Sequence, residues 1–406
     1  VNVPAKDVTR RTGYVLNNQF VLNKPASFLI ILLLLLSGCR ESSFDSNLEQ
    51  NVDDASLLRL SAQGGFVLPA IPEENPISDA KITLGRHLFY DTQLSGNETQ
   101  SCESCHEQAL AFTDGKALPQ GSMGHTLALN SQTLTNVAYN GSYTWWNPIL
   151  IRMEDQLFIP MTGDDPVELG INDANTQAVL QRFRDDDNYQ SLFSQAFPDD
   201  SDPFSLVNVN FALASFTRSL ISDRSAFDKG EMSESARRGE ALFFSEKMEC
   251  FHCHNGFNFS SSTVTENTRF PERVFFNNGL YNLNNNGSYP DAIQGKFKVT
   301  NDWNDMGAFR PPTLRNIELT APYMHDGSIA TLGEVLDMYA AGGRNIESGE
   351  FSGDGRLNPF KSDFVGGFEM TPEEKQDLLN FLFSLTDNEF ITDPRFSNPF
   401  PSELSE

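Results

Sequence analysis

The chain contains the pentapeptide Cys102-Glu-Ser-Cys105-His106 and a second copy of the same pattern, Cys250-Phe-His-Cys253-His254. Cys-x-x-Cys-His is the attachment signature of c-type haem, in which both thiols bond to the porphyrin and the histidine ligates the iron. A zinc site would need four ligands and no histidine after the second cysteine. A thioredoxin-like redox pair belongs in a cytosolic βαβ context. The sequence therefore predicts two covalently bound haem c groups with His106 and His254 as iron ligands.

A similar segment precedes each motif. Gly85-Arg-His-Leu-Phe-Tyr90 lies before the first motif, and Gly239-Glu-Ala-Leu-Phe-Phe244 lies before the second. Ser78 and Ser233 are placed to cap the two helices that these segments would form, because a serine oxygen can accept from the free N–H groups of a first turn. This internal repeat predicts two cytochrome-c-like modules in tandem.

Further helical patterns predict an all-α protein. The last of them opens with Thr371-Pro-Glu-Glu374, a capping box with proline at the first helical position. Two regions rich in Asn, Gly and Pro, 113–165 and 255–320, are expected to be long loops that wrap the haems. The predicted additional helices are 174–196, 205–229, 331–341 and 371–385.

The N-terminal part contains an export signal. The apolar run from Phe28 to Leu36 is too short to cross about 30 Å of hydrocarbon at about 1.5 Å per residue, but it suits a secretory signal with basic residues upstream. The run ends in Leu-Ser-Gly-Cys39, which resembles a bacterial lipobox with Cys39 as the lipidated residue; an ordinary signal peptide is the alternative. Arg40 replaces the usual Asp retention signal. We therefore expect the protein to lie in the periplasm with a lipid anchor, in the outer membrane in preference to the inner membrane.

The motifs and the leader together define the expected domain organisation. The predicted boundaries are 1–38 for a signal peptide with an over-long start, 39–71 for a linker, 72–228 for an N-terminal haem domain, 229–390 for a C-terminal haem domain, and 391–406 for a tail.

Composition excludes several functional classes. The 406 residues carry a formal charge of −26, which argues against a nucleic-acid partner because phosphate contacts need a basic face. Hydrophobic residues make up 39% of the chain, so it is not a mainly disordered protein. Its acidity suits a protein that attracts cationic partners by electrostatic steering.

The two motifs and the segment from Pro312 to Gly327, PTLRNIELTAPYMHDG, together resemble the bacterial di-haem cytochrome c peroxidase/MauG family. Within that family they are most similar to the MbnH-like branch, whose members oxidise a tryptophan of a partner protein. The resemblance implies that the N-terminal haem is the peroxide site and that the C-terminal haem transfers electrons.

The resemblance also implies roles for individual side chains. Gln156 and Glu168 should lie on the distal side of the first haem, where a carboxyl of raised pKa can move a proton between the two oxygens of peroxide. The alternative for Glu168 is a solvated surface side chain. Trp146 should lie between the haems, although its neighbour Trp145 could equally do so. A calcium ion between the haems is implied at Asn130, Thr320 and Pro322, which would offer oxygen ligands.

The sixth ligand of the second iron separates subfamilies, because peroxidases of this family supply Met whereas MauG-like enzymes supply Tyr. Counting from Thr320 places Tyr339 at this position, with Met338 beside it. Tyr339 shares the spacing i, i+3, i+4, i+7 of one helical face with Leu332, Val335 and Leu336, and Met338 points about 100° away. Tyr339 is therefore favoured, with Met338 as the alternative.

The sequence assigns no iron-ligating role to the four other histidines, His87, His125, His252 and His325. His125 lies roughly where some peroxidases carry a histidine that blocks the resting iron, but its spacing to Asn130 is shorter.

Three functions are compatible with these features. The leading hypothesis is an exported di-haem peroxidase that uses hydrogen peroxide to oxidise a redox protein through a high-valent di-haem state. The first alternative is a conventional cytochrome c peroxidase that reduces hydrogen peroxide with electrons from a small c-type cytochrome. The second alternative is a non-enzymatic di-haem electron-transfer cytochrome.

Overall fold

The structure, a computed structural model, describes residues 65–400. The predicted signal peptide, Cys39 and most of the predicted linker therefore lie outside the described residues. None of the described helices is long and apolar enough to span a bilayer. The helices are α1 (Asp79–Tyr90), α2 (Met153–Thr162), α3 (Thr176–Arg184), α4 (Asp187–Ala196), α5 (Leu206–Arg218), α6 (Glu234–Phe243), α7 (Phe297–Thr300), α8 (Leu332–Ala340) and α9 (Pro372–Phe383).

The helices that precede the two motifs, α1 and α6, begin at the predicted serines. The Ser78 hydroxyl accepts a hydrogen bond from the backbone N–H of Lys81, and the Ser233 hydroxyl accepts one from Ala236. An acidic residue follows each cap, which complements the positive end of the helix dipole. At α9, Thr371 and Glu374 form the predicted capping box. These three predictions of helix starts are confirmed.

Each of these two helices crosses a later helix at a glycine. A Cβ built on Gly85 of α1 would lie 1.9 Å from the carbonyl oxygen of Ala212 in α5. A Cβ built on Gly239 of α6 would lie 1.9 Å from the carbonyl oxygen of Asp377 in α9. Since only a residue without a Cβ permits this approach, the glycine of each repeat sets the distance between the crossing helices.

Several predicted helix boundaries are wrong. The expected helix 174–196 is two helices, because the Asp186 carboxylate accepts from the N–H groups of Asn188 and Tyr189 and starts α4. The expected helix 205–229 ends at Arg218. Part of the expected loop 113–165 forms α2, and part of the expected loop 255–320 forms the short α7.

The fold is helix-rich rather than strictly all-α. A small antiparallel pair joins β1 (Asn345–Ile346) to β2 (Gly353–Asp354), with Asn345 opposite Asp354. The pair closes the loop that follows α8. Isolated bridges also link loop segments, for example Asn140 with Thr263.

The apolar core has two large centres. We call them the N-terminal cluster, which spans Ile82 to Leu220 and includes Phe390 and Phe396, and the C-terminal cluster, which spans Phe243 to Leu385. Cys102 packs against the first and Cys250 against the second. Each motif therefore lies beside its own core.

The ends of the described chain cross between these centres. The Tyr90 hydroxyl donates to the carbonyl of Phe396 at 2.6 Å, so residues of the predicted C-terminal tail pack against the N-terminal half. At the other end, the ring of Phe66 lies 4.6 Å from that of Phe257 and beneath the guanidinium of Arg315. These crossings tie the two halves together.

Candidate functional site

Both attachment motifs begin in a short 3₁₀ turn, Cys102–Ser104 in the first and Cys250–His252 in the second. None of the four cysteines in the described residues forms a disulfide. Removal from water raises the pKa of each of these thiols to about 12. A thioredoxin-like pair needs a thiol of lowered pKa, so this environment argues against that alternative.

The histidine after each motif is held in the same way. The Nδ1 of His106 donates to the carbonyl of Phe112 at 2.8 Å, and the Nδ1 of His254 donates to the carbonyl of Phe259 at 3.1 Å. Both phenylalanines adopt positive φ, +61° and +48°. This bond places a proton on Nδ1 of each ring, as in histidines that ligate a metal through Nε2. Burial lowers the pKa of His106, and lowers that of His254 to about 4, so both rings are neutral.

A large cavity lies beside the second motif. Its space free of protein atoms is about 1750 Å³, including a part open to solvent. The walls are largely apolar. The lining includes residues of the second motif and polar or oxygen-bearing residues from other segments: Cys250, Cys253, His254, Arg310, His325, Tyr339, Asn130, Thr320 and Pro322.

Arg310 is a buried cation on the wall of this cavity. Its guanidinium donates to Gln132 Oε1 at 2.6 Å and to the Thr144 carbonyl at 3.2 Å, and no carboxylate of residues 65–400 pairs with it. Burial lowers its pKa to about 10. A buried cation without an anion is costly, so this wall is suited to receive carboxylates from a bound group. Haem carries two propionate carboxylates, and the lining residues therefore fit a haem.

His325 is a second polar group on the wall of the cavity. Its ring is buried and stacks on Phe309, with centroids 3.6 Å apart. Its Nε2 has no hydrogen-bond partner in the part of the chain that the structure describes. Burial lowers its pKa to about 4, so the ring is neutral. Neither Arg310 nor His325 carried a local signal, because both depend on contacts distant in sequence.

The two candidate sixth ligands of the second iron point in different directions. Tyr339 lines the cavity with Leu332, Val335 and Leu336, whereas Met338 is buried in the C-terminal cluster. Removal from water raises the pKa of Tyr339 to about 12, opposed by a hydrogen bond from Asn278. Cys253 and Cys250 also raise the pKa of Tyr339 by electrostatic interaction, so its hydroxyl lies near the second motif.

Glu168 lies close to the first motif. It is half-buried, and removal from water raises its pKa to about 7. Removal from water is the main cause that raises the pKa of Cys102 and Cys105, and the charge of the nearby Glu168 carboxylate raises both further. A carboxyl of this kind differs from a solvated surface side chain.

Gln156 lies on α2, and Glu154 in the first turn of the same helix forms a buried ion pair with Arg218. The Glu154 carboxylate accepts two hydrogen bonds from the buried guanidinium of Arg218, at 2.7 and 2.9 Å. Burial would raise the pKa of Glu154, but Arg218 and Asn75 outweigh it and hold the pKa below its usual value. Glu154 had not been singled out from the sequence. It is the positioning residue for the helix that carries Gln156.

Trp145 and Trp146 are half-buried and pack against the C-terminal cluster. The Trp145 ring lines the cavity, and its Nε1 donates to the carbonyl of Asn130 at 2.9 Å. The Trp145 carbonyl accepts from the N–H of Arg310. Trp145 thus connects the loop of the first half to the cavity of the second, and Trp146 follows it directly.

The three residues implied as calcium ligands lie on the wall of one cavity. Asn130, Thr320 and Pro322 all line it. The Asn130 amide nitrogen donates to the Lys116 and Ala117 carbonyls, which turns the amide oxygen away from these groups. The structure therefore places Asn130 on the wall of the same cavity as Thr320 and Pro322, which are distant from it in sequence.

His125 and His87 lie elsewhere. His125 is exposed on a loop. His87 packs edge-on against Tyr189 and Phe400, and its Nδ1 contacts the Thr83 carbonyl at 2.8 Å.

Comparison with known proteins identifies the family. A family model described as di-haem cytochrome c peroxidase matches residues 79–237. Cytochrome-c peroxidase IdrP1 from Pseudomonas sp. strain SCT is 31% identical over 342 residues, which cover 79% of this chain and 84% of the relative. This chain belongs to the di-haem cytochrome c peroxidase family. It is a haem oxidoreductase of the peroxidase class, and its family carries two haem c groups.

Two further matches place this di-haem peroxidase near MauG. Methylamine utilization protein MauG from Methylorubrum extorquens is 30% identical over 320 residues, 77% of this chain and 80% of the relative. A solved MauG-like protein associated with microbial copper homeostasis is 45% identical, with a TM-score of 0.82, and the match covers 83% of this chain and 97% of that one. The family resemblance predicted from the motifs is confirmed.

Proposed function

We propose that this di-haem peroxidase is an exported enzyme that uses hydrogen peroxide to oxidise a protein partner. The observation that carries the proposal is the position of Tyr339 on the cavity wall near the second motif, with Met338 turned into the core. A thioether favours ferrous iron and raises the potential. A phenolate is hard and anionic and favours oxidised iron, which suits storage of oxidising equivalents more than receipt of electrons from a small donor.

The chain offers a complete set of groups for two haems. Attachment would use the two cysteine pairs, with one histidine per iron on the proximal side, and Arg310 and His325 would face the polar edge of a haem in the cavity. The bound haems would supply peroxide binding and storage of oxidising equivalents. The residues for this role are Cys102, Cys105, His106, Cys250, Cys253, His254 and Tyr339.

Glu168 would move the proton. Its carboxylate can accept the proton of the peroxide oxygen that binds and return it to the oxygen that leaves as water, which is general acid–base work. A pKa raised to about 7 matches this task, since the group must both accept and release a proton near neutral pH. Gln156, on the helix held by Glu154, would orient the peroxide by hydrogen bonding.

Tyr339 would bind as a phenolate. With a pKa raised to about 12, its hydroxyl stays protonated in the chain alone, so ligation must release a proton to solvent. Trp146, or its neighbour Trp145, would lie between the two haems and share the oxidising equivalents.

The proposal includes a calcium ion and a location. Asn130, Thr320 and Pro322 would hold calcium through oxygen atoms, the last two through backbone carbonyls. Their shared place on the cavity wall supports this assignment. Export to the periplasm with a lipid anchor at Cys39 is supported by the leader sequence alone.

A second candidate function is conventional peroxide reduction with electrons from a small c-type cytochrome. IdrP1, named a cytochrome-c peroxidase, is about as similar to this chain as MauG is. The net charge of −26 would also steer a cationic cytochrome to the surface.

Ferric EPR spectra of the Tyr339→Phe and Met338→Leu variants test the proposal. We expect Tyr339→Phe to change the low-spin signal of the second haem and Met338→Leu to leave it unchanged, because only Tyr339 faces the cavity. The reverse result would assign Met338 to the iron and favour the conventional peroxidase. Two low-spin signals in the wild-type protein, with no high-spin signal, would indicate an electron-transfer cytochrome.

Turnover separates the two enzymatic candidates. With a reduced small c-type cytochrome as the only donor, we expect slow oxidation by the wild type and faster oxidation by Tyr339→Met. Fast wild-type oxidation that Tyr339→Met does not increase would contradict the proposed role of the phenolate.

A further inference from the structure

An unassigned cluster of donor atoms lies at the second attachment motif. Glu246, Glu249 and His252 place two carboxylate oxygens and one imidazole nitrogen within 4.8 Å of one another. His252 Nε2 and Glu249 Oε2 are 2.6 Å apart. All three residues follow α6 and precede His254; Glu246 is exposed, and Glu249 and His252 are half-buried.

The imidazole of His252 is held in place by aromatic rings. The ring of Phe364 stacks on it at 4.0 Å between centroids and 11° between planes. The ring of Phe251 lies 4.1 Å away at 32°. Stacking from a residue distant in the chain fixes the direction of the ring nitrogens, so little side-chain freedom is left to lose when His252 binds a ligand.

The charge of the cluster is not balanced by the nearest lysine. Lys247, which lies between the two glutamates in sequence, pairs instead with Glu374 of α9 at 2.5 Å. The ammonium of Lys247 is therefore directed away from the two glutamates, in a chain that is strongly acidic overall. This arrangement attracts a cation.

We propose that Glu246, Glu249 and His252 bind a divalent late transition-metal ion, of the class of Cu²⁺ or Zn²⁺. A nitrogen donor favours these ions over Ca²⁺ and Mg²⁺, which take oxygen ligands. Three protein ligands leave further coordination positions open to solvent, because Glu246 is exposed. The site goes beyond the proposed peroxide chemistry and does not depend on it.

The position of the site gives it a consequence. His252 lies between Cys250 and Cys253, so a bound dication would lie close to the second haem. A nearby positive charge disfavours the oxidised form of a redox centre, because that form carries the additional positive charge. Metal binding at this site is therefore expected to raise the reduction potential of the second haem.

Calorimetric titration of the intact holoprotein with Zn²⁺ tests the site directly. We expect one equivalent to bind to the wild type, and His252→Gln to weaken the affinity more than about tenfold. His87→Gln is the matched control, since His87 lies on α1 and packs against Tyr189 and Phe400, and this variant should bind as the wild type does. Absence of stoichiometric binding, or equal binding by His252→Gln, would overturn the proposal.

Cu²⁺ EPR identifies the ligands independently of affinity. One bound Cu²⁺ should show nitrogen hyperfine structure from a single imidazole, and His252→Gln should remove it. Glu249→Gln should weaken binding but keep the nitrogen signal. Persistence of the nitrogen signal in His252→Gln would assign the copper to another histidine and refute the site.

Discussion

In both halves of the chain, a serine-capped helix crosses a later helix at a glycine, a 3₁₀ turn presents two cysteines, and a histidine donates to a phenylalanine carbonyl at positive φ. The side chains that lie near the two motifs differ between the halves. Near the first motif lies Glu168, a carboxyl of raised pKa, and near the second lies Tyr339, a phenol on the cavity wall. The repeated scaffold holds a cofactor, and the unrepeated residues determine what it does.

Replacing the carboxyl near the first motif should have the largest effect. We expect Glu168→Gln to slow peroxide-driven oxidation by about 10²–10⁴-fold while haem content stays the same, because the amide cannot move the proton. Stopped-flow kinetics with hydrogen peroxide measures this rate. An unchanged rate would remove Glu168 from the mechanism and end the contrast between the two sites.

The pH dependence of that rate sharpens the same point. Because the pKa of Glu168 is raised to about 7, the carboxylate that accepts the proton is depleted at lower pH. The rate should therefore rise with pH through about 7 in the wild type. Glu168→Gln should lose this rise, and its persistence would show that another group titrates.

Two ion pairs of residues 65–400 are deeply buried: Glu154–Arg218 lies within the first half, and Asp228–Arg315 joins the last residue of the predicted first domain to the second half. Removing either carboxylate leaves a buried guanidinium unpaired, which should cost about 3–5 kcal/mol in the free energy of unfolding. Denaturant unfolding of Glu154→Gln and Asp228→Asn measures the loss. The control is Asp337→Asn, whose exposed pair with Lys375 should contribute less than about 1 kcal/mol. A small loss at only one buried pair would show that the two pairs do not stabilise the protein alike.

The first of these pairs also predicts acid sensitivity. The folded pKa of Glu154 is lowered, so its contribution to stability is present above the unfolded pKa and is lost as pH falls through the folded value. Glu154→Gln should flatten the decline of stability at acidic pH, as followed by thermal unfolding.

The two glycine crossings should be equally intolerant of a side chain. Gly85→Ala and Gly239→Ala each place a Cβ against a backbone carbonyl, and each should destabilise the protein by about 1–3 kcal/mol or more. Gly333→Ala in α8 is the control, because its Cβ would meet nothing nearer than 3.6 Å. That variant should be neutral or stabilising. Unequal melting temperatures for the first two would show that the crossings are not equivalent.

The smallest effect concerns the two caps. Ser78→Ala and Ser233→Ala each remove one hydrogen bond to the first turn of a helix, and each should cost about 1 kcal/mol. Chemical unfolding measures both. If only one of the two substitutions lowered the free energy of unfolding, the two caps would not contribute equally to stability.

What could be predicted from the sequence was local. The caps and the helical face shared by Leu336 and Tyr339 depend on neighbours within one or two turns, and the structure bears these out. Helix α2 was missed because Pro160 and a weak apolar pattern obscured it. The break between α3 and α4 was missed because one carboxylate at Asp186 restarts the helix.

The remainder of the cavity could not be predicted because it depends on distant contacts. Arg310 is an ordinary residue of the predicted loop 255–320, and His325 belongs to the Pro312–Gly327 segment; their surroundings appear only when burial leaves one without an anion and the other without a hydrogen-bond partner. The same holds for Glu154, which looks like one acid among many until Arg218 reaches it from α5.

The return of the chain to its first half has a consequence for biosynthesis. Gln108, just after the first motif, donates to the carbonyls of Phe390 and Asp393, and the Phe390 ring packs on Phe112. A nascent polypeptide released only to Leu385 lacks these partners, although every residue of the C-terminal cluster has already emerged. The half made first therefore finishes folding last. Haem ligation at the first motif should meet an unfinished pocket, whereas the second can receive its haem in a completed one.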